Sequence, residues 1–286
     1  MTQYYGSGYG GGGGRGISFR TIIGIAVVLF GIISYFSHES VNPVTGERQV
    51  VDLKPEQEIA LGLQSAPAMI EQMGGEVPES DPRAKEVKRI GAKIAATPKP
   101  KMSGYPFQYH LLADTQTVNA FALPGGPIFI TLGLYSKLPD EAALAGVLGH
   151  ETGHVVERHV AQQIAQSKLG QSLVLGTGIA ASDRRNGLAT WALADVANQM
   201  LQLKFSRKDE AQADQCGLQY MTDAGYDPRA MIDVMKVLES ISAGGSRPEF
   251  LETHPDPGNR IEAIQKWLED NPYLAAQLSR GESLPQ

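Results

Sequence analysis

The chain has 286 residues, 42% hydrophobic and 20% charged, with a formal net charge of −6, which is length enough to bury one sizeable core. No basic cluster resembles a nucleic-acid footprint, so no nucleic-acid partner is expected. The one cysteine, Cys216, excludes an intrachain disulfide and thiolate metal ligation of the CxxC type, and reads as a small buried hydrophobe.

Residues 1–20 open on a Gly- and Tyr-rich run, Gly6 to Gly14, without hydrophobic periodicity, which predicts a disordered tail. From Thr21 to His38 there is no Asp, Glu, Lys or Arg, and the stretch is just long enough to span a bilayer, so 21–38 is predicted as a single transmembrane helix. A cleaved signal peptide would end in an A-x-A-like site, whereas this segment ends Ser34-Tyr35-Phe36-Ser37 and no cysteine follows to carry a lipid. A core helix would need folded structure on both sides, and the Gly-rich tail supplies none. Arg15 and Arg20 precede the span and Glu39 follows it, placing the N-terminus in the cytoplasm and the rest outside.

Residues 39–52, with the turn-rich Asn42-Pro43-Val44-Thr45-Gly46, read as a linker, and 53–286 as one folded domain. Helices are predicted over Pro55 to Gln72 and Asp81 to Ala96, the first stopped by Gly74-Gly75 and the second followed by a break at Pro98 and Pro100. Phe107 to Leu112, Val118 to Leu123 and Pro127 to Leu132 read as short strands, the last two joined by Pro124-Gly125-Gly126. An exposed edge of such a sheet can bind extended peptide through its backbone. Val118 to Ala122, with Asn119, Ala120 and Phe121, is the candidate edge, and an ordinary structural hairpin fits the same pattern.

Asp140 and Glu141 open a long predicted helix running to about Lys168, the acidic pair suiting its positive N-terminal end. It carries His150-Glu151-Thr152-Gly153-His154. Residues i and i+4 lie one above the other on a helix, so His150 and His154 can reach one zinc ion while Glu151 takes a proton from the water it activates. That makes a zinc metallopeptidase the first hypothesis. Gly153, costly inside a helix, implies a close neighbour. Leu169 to Ala181 is apolar but too short to cross a membrane. It is compatible with a buried segment or with a cover lying on lipid.

Catalytic zinc usually takes a third protein ligand. The pattern HExxHxxGxxH is excluded because Glu157 stands at the glycine position. A long helical stretch from Ala192 to Gly225 offers Glu210 and Asp214, one turn apart on one face. Glu210 is the candidate third ligand, and Asp214 the acceptor that fixes the tautomer of a ligating histidine. Asp209 points about 100° away and has no acid at i+4.

These motifs, in this order, resemble the membrane-associated zinc peptidases of the CAAX prenyl protease and HtpX-like type, above all the bacterial periplasmic and mitochondrial inner-membrane quality-control branch. Asn42 to Gly46 is similar to that branch's entry segment and Val118 to Gly126 to its substrate strand. His150 to His159 is similar to its zinc helix, Glu210 with Asp214 to its ExxxD, and Thr253-His254-Pro255 with Arg260 to its C-terminal element. The resemblance implies an α+β, predominantly helical gluzincin domain with a small antiparallel sheet, preceded by one transmembrane helix. It also implies one zinc ion held by His150, His154 and Glu210, with Glu151 as base, and endopeptidase action on misfolded or membrane-associated polypeptides. The protein would be a single-pass inner-membrane protein with its catalytic domain in the periplasm or equivalent extracytoplasmic space. Two roles are implied for His254, a donor to the tetrahedral oxyanion or a fourth ligand that closes the site. Arg260 is expected to position its loop or bind substrate backbone, and Arg158 and His159 to support or pack. The long apolar spans of the prenyl-protease members are absent, and no helical repeat array is expected after Arg260. A latent or inactive scaffold serving as a chaperone is the rival reading.

Overall fold

The computed structural model describes residues 18–181, 203–245, 248–255, 257–272 and 278–286. Helix α1 (Phe19–Ser37) is capped by Ser18, whose Oγ accepts from the Thr21 amide at 3.1 Å. It is the only helix among the described residues long and apolar enough to cross a membrane. The tail expected over 1–20 lies outside the described residues up to residue 17.

The stretch read as a linker folds into an antiparallel hairpin, β1 (Glu39–Val41) with β2 (Arg48–Val50). Asn42 makes its turn: Oδ1 accepts from the Val44 amide at 2.9 Å, and Nδ2 donates to the Val156 carbonyl at 2.8 Å. The hairpin is therefore tied to the end of the histidine-bearing helix rather than hanging free.

Helices α2 (Pro55–Gln72) and α3 (Pro82–Ala95) form where the apolar spacing places them. Pro98, read as a break, instead starts the short α4 (Pro98–Ser103), because proline at the first helical position loses only an amide that would be unpaired anyway. Strands β3 (Gln108–Leu112), β4 (Ala120–Ala122) and β5 (Pro127–Thr131) form one sheet in the order β3-β5-β4. The expected antiparallel sheet is mixed: β4 runs antiparallel to β5, with Ala120 opposite Ile130, but β3 runs parallel to β5, with Gln108 opposite Pro127. Two chain reversals leave β5 running the same way as β3, and β5, buried at every residue, takes the centre. That leaves β4 at an edge.

After the short α5 (Leu132–Tyr135) comes α6 (Glu141–Val156), buried from Ala142 to Val156. Asp140 caps it, accepting from the Ala143 amide at 2.9 Å. The helix expected to continue to Lys168 breaks at Arg158, which has φ +59°, and restarts as α7 (His159–Ala181). This left-handed residue is not glycine because its side chain is held by distant groups: its guanidinium forms an ion pair with Glu58 and donates to the Leu53 carbonyl at 2.6 Å.

Helix α8 (Arg207–Asp223) begins later than the stretch expected from Ala192, because Ser206 and Asp209 form a capping box there. Residues 192–202 lie outside the described residues. Helices α9 (Ala230–Ala243), α10 (Glu249–Thr253) and α11 (Pro257–Asp270) complete the fold. Helices α6 and α8 cross closely: a Cβ on Gly153 would stand 2.8 Å from the Cys216 Cβ and 3.0 Å from the Ala213 carbonyl oxygen. The neighbour implied by Gly153 is thus α8, the helix that carries Glu210 and Asp214.

Candidate active site

The crossing of α6 and α8 sets His150 and His154 against Glu210 and Asp214. All four are buried, and the two histidine Nε2 atoms face each other at 3.0 Å. Glu210 Oε2 is 3.7 Å from His150 Nε2, and its Oε1 is 3.5 Å from His154 Nε2. His254 enters from the end of α10, its amide anchored on the Phe250 carbonyl at 2.8 Å. Its Nδ1 donates to Glu210 Oε1 at 3.0 Å, and its Nε2 lies 3.6 Å from Glu151 Oε1. One ligand atom from each of His150, His154, Glu210 and His254 falls within 4.8 Å of the others.

This cluster fits a divalent cation better than it fits a self-contained hydrogen-bond network. His150 has its Nδ1 committed, donating to Asp214 Oδ1 at 2.9 Å, which leaves the Nε2 lone pair pointing inward. The outer nitrogen of His154 is engaged by His159 Nδ1 at 2.9 Å, and His159 Nε2 lies 3.3 Å from Gln212 Oε1. Neither carboxylate oxygen of Glu151 has a hydrogen-bond partner, although both are buried. Buried polar atoms without partners are costly unless something charged occupies the space between them.

The electrostatics separate the two glutamates. Burial pushes the Glu151 carboxyl up to about 7, in the range of a group that takes and gives protons near neutrality. Glu210 is also buried, but its neighbours His254 and Arg260 outweigh that burial and hold it well below the usual carboxylate range. Asp214 is likewise held down against burial by Arg260 and His150. Burial lowers His150 to about 4 and holds His159 well below its ordinary value, so both are neutral imidazoles at pH 7.

Arg260, expected to position its loop or bind substrate, is buried within the site. Its Nε donates to Asp214 Oδ2 at 2.7 Å, its Nη2 to Asp214 Oδ1 at 2.6 Å, and its Nη1 faces Glu210 Oε2 at 2.8 Å. Of the two expected roles, the positioning one matches this geometry, since the guanidinium fork is directed at two carboxylates. Asn119 is buried and its Nδ2 donates to Glu249 Oε1 at 3.1 Å, tying the edge strand to α10, while the Phe250 amide donates to the Val118 carbonyl at 3.1 Å. Ala120 is buried in β4, and Phe121 is half-buried and stacked on Phe129 at 4.9 Å. These two flank the cluster on the strand that packs on α6 rather than joining it. Phe205, which the motifs did not single out, stacks on His254 at 5.2 Å and tilts over His154 at 4.1 Å. Only its place one residue before the Ser206 cap pointed toward the site.

A family model described as peptidase family M48 matches residues 81–268, which include every ligand candidate. The chain belongs to peptidase family M48. This M48 peptidase is 32% identical over 252 residues to the mitochondrial metalloendopeptidase OMA1 of Schizosaccharomyces pombe, covering 87% of this chain and 72% of that protein. It is 31% identical over 248 residues to the mitochondrial metalloendopeptidase OMA1 of Homo sapiens, covering 83% of this chain but 47% of that one. Against the beta-barrel assembly-enhancing protease of Escherichia coli K12 it is 32% identical over 164 residues, 54% of this chain and 33% of that protein. The chain thus spans about half the length of the human relative and a third of the bacterial one. It is a metalloendopeptidase.

Proposed function

We propose that this M48 peptidase is a zinc endopeptidase, anchored by α1 in a bacterial inner membrane with its N-terminus inside and its catalytic domain outside, that cuts misfolded or membrane-associated polypeptides. One zinc ion would be held by His150, His154 and Glu210. When bound, zinc supplies Lewis acidity and makes water a nucleophile near neutral pH. Asp214 keeps the His150 tautomer with its Nε2 lone pair inward, and Arg260 keeps Glu210 and Asp214 ionised. Glu151, with both oxygens free, accepts the proton released by the attacking water and returns it to the leaving amine. His254, held by Glu210 and by the Phe205 and Phe250 rings, stands where it can donate to the developing oxyanion or serve as a fourth ligand. Strand β4, paired on one side only, offers the edge along which the backbone of an extended substrate would lie, in the segment of Asn119, Ala120 and Phe121.

The observation that carries this reading is the convergence of His150, His154, Glu210 and His254 within 4.8 Å beside a Glu151 whose carboxylate has no hydrogen-bond partner. Nothing in the site or among the relatives supports the rival reading of an inactive scaffold. The test is casein cleavage by the purified full-length protein, with metal analysis. Cleavage should stop with chelator and return with zinc, at one zinc per chain. Cleavage that continues in metal-free protein would end the proposal.

A further inference from the structure

Helix α7 carries on past the site. It starts at His159, in contact with His154, and its second half packs along α1, the apolar helix proposed as the anchor. The contact is close: a Cβ on Gly31 would stand 2.6 Å from the Ser172 Cβ, and Gly24, two turns earlier on the same face of α1, is buried too. Small residues that let two helix backbones approach are the packing device of helices in lipid.

The charges on α7 stop abruptly. Lys168 forms an ion pair with Asp52, and Asp52 Oδ1 lies 3.2 Å from His38 Nε2, so a polar belt crosses both helices just where α1 ends. Beyond it, residues 169–181 contain no charged side chain. Leu173, Val174 and Leu175 there are exposed, Val174 at 73%. The hydroxyls are satisfied by the backbone of their own helix: Ser172 Oγ donates to the Lys168 carbonyl at 3.0 Å and Thr177 Oγ1 to the Leu173 carbonyl at 3.0 Å. Gln171, the one amide, lies within a turn of the belt.

We propose that the second half of α7, residues 169–181, is inserted in the bilayer beside α1, so that the protein enters the membrane as a helix pair. The inference rests on the reading of α1 as the anchor. Thirteen residues of helix reach about 20 Å, against roughly 30 Å of hydrocarbon, too short to span alone but deep enough to bury Leu173 to Leu175 in lipid. The insertion also fixes the site's height. His159 is nine residues from Lys168, or about 14 Å of helix, so the cluster, which His159 touches through His154, stands about 15–20 Å from the polar belt. An extended chain of about five or six residues, at about 3.3 Å each, covers the distance. The substrates this favours are membrane-anchored polypeptides cut a few residues from the bilayer surface.

The test is nitroxide accessibility on the full-length protein in vesicles of phosphatidylcholine and phosphatidylglycerol. Labels are placed singly through Val174→Cys, Thr177→Cys, Phe30→Cys and Lys101→Cys in a Cys216→Ala background, keeping variants that retain bound metal. Oxygen should dominate over a water-soluble nickel complex in relaxing labels at Val174 and Thr177, as at Phe30, with the order reversed at Lys101. Nickel-dominated relaxation at Val174 and Thr177 with oxygen-dominated relaxation at Phe30 overturns the insertion while leaving the anchor intact. Low access by both reagents at Val174 means that protein, such as a second copy, covers this face, and overturns it as well. Nickel dominance at Phe30 too would remove the anchor along with it.

Discussion

At the scale of the residue, the site is a set of assignments made by partners. His150 is directed by Asp214, His154 is steadied by His159, and the two glutamates are pushed apart in acidity by what lies beside them. The i, i+4 pairs are local geometry, so HExxH and Glu210 with Asp214 were legible from spacing. His254 and Arg260 lie far along the chain and were legible only by resemblance. The stacking of Phe205 on His254 and the contact of His159 with His154 exist only once α7, α8 and α10 have packed, and no local pattern announces them. Asp214→Asn should weaken zinc binding by about 10- to 100-fold, because the amide supports the His150 tautomer without a charge and leaves Arg260 facing a neutral group. Competition against a chromophoric chelator measures this, and an unchanged affinity would remove Asp214 from the site.

At the scale of the element, the crossing of α6 and α8 is what assembles the metal cluster, and Gly153 is where it is tightest. Helix propensity alone favours Gly153→Ala by about 1 kcal/mol. The new Cβ would meet the Cys216 Cβ at 2.8 Å and the Ala213 carbonyl at 3.0 Å, and overpacking of that kind costs about 1–3 kcal/mol. Gly153→Ala should therefore be net destabilising in urea unfolding and should lower zinc occupancy along with stability. A stabilised variant would show that the crossing has slack. The sequence marked Gly153 as crowded but did not reveal by what. It misplaced the end of α6, because left-handed Arg158 is held by Glu58, 100 residues earlier in the chain. The mixed sheet escaped for a similar reason: each strand is visible in its own apolar run, but which one takes the centre depends on the burial of all three.

At the scale of the molecule, metal, fold and membrane are coupled through α6 and α7. A cation that binds the folded cluster and not the unfolded chain adds stability by mass action, about 4 kcal/mol when free metal is a thousandfold above its Kd. Chelation should therefore lower the thermal unfolding midpoint of the wild type, while His154→Ala should unfold at the same temperature with or without chelator. A wild type indifferent to chelation would place the metal elsewhere. In the proposed arrangement the anchoring helix, the polar belt at Lys168 and the cluster below it put the chemistry next to the bilayer, and the proposed mechanism depends on a single carboxylate acting as the base. The decisive measurement is zinc content and peptide hydrolysis of Glu151→Gln side by side with the wild type. Zinc should remain at one per chain while hydrolysis falls by at least about 10²- to 10⁴-fold. Hydrolysis at the wild-type rate with zinc retained would contradict the assignment of Glu151, and with it the mechanism proposed for this site.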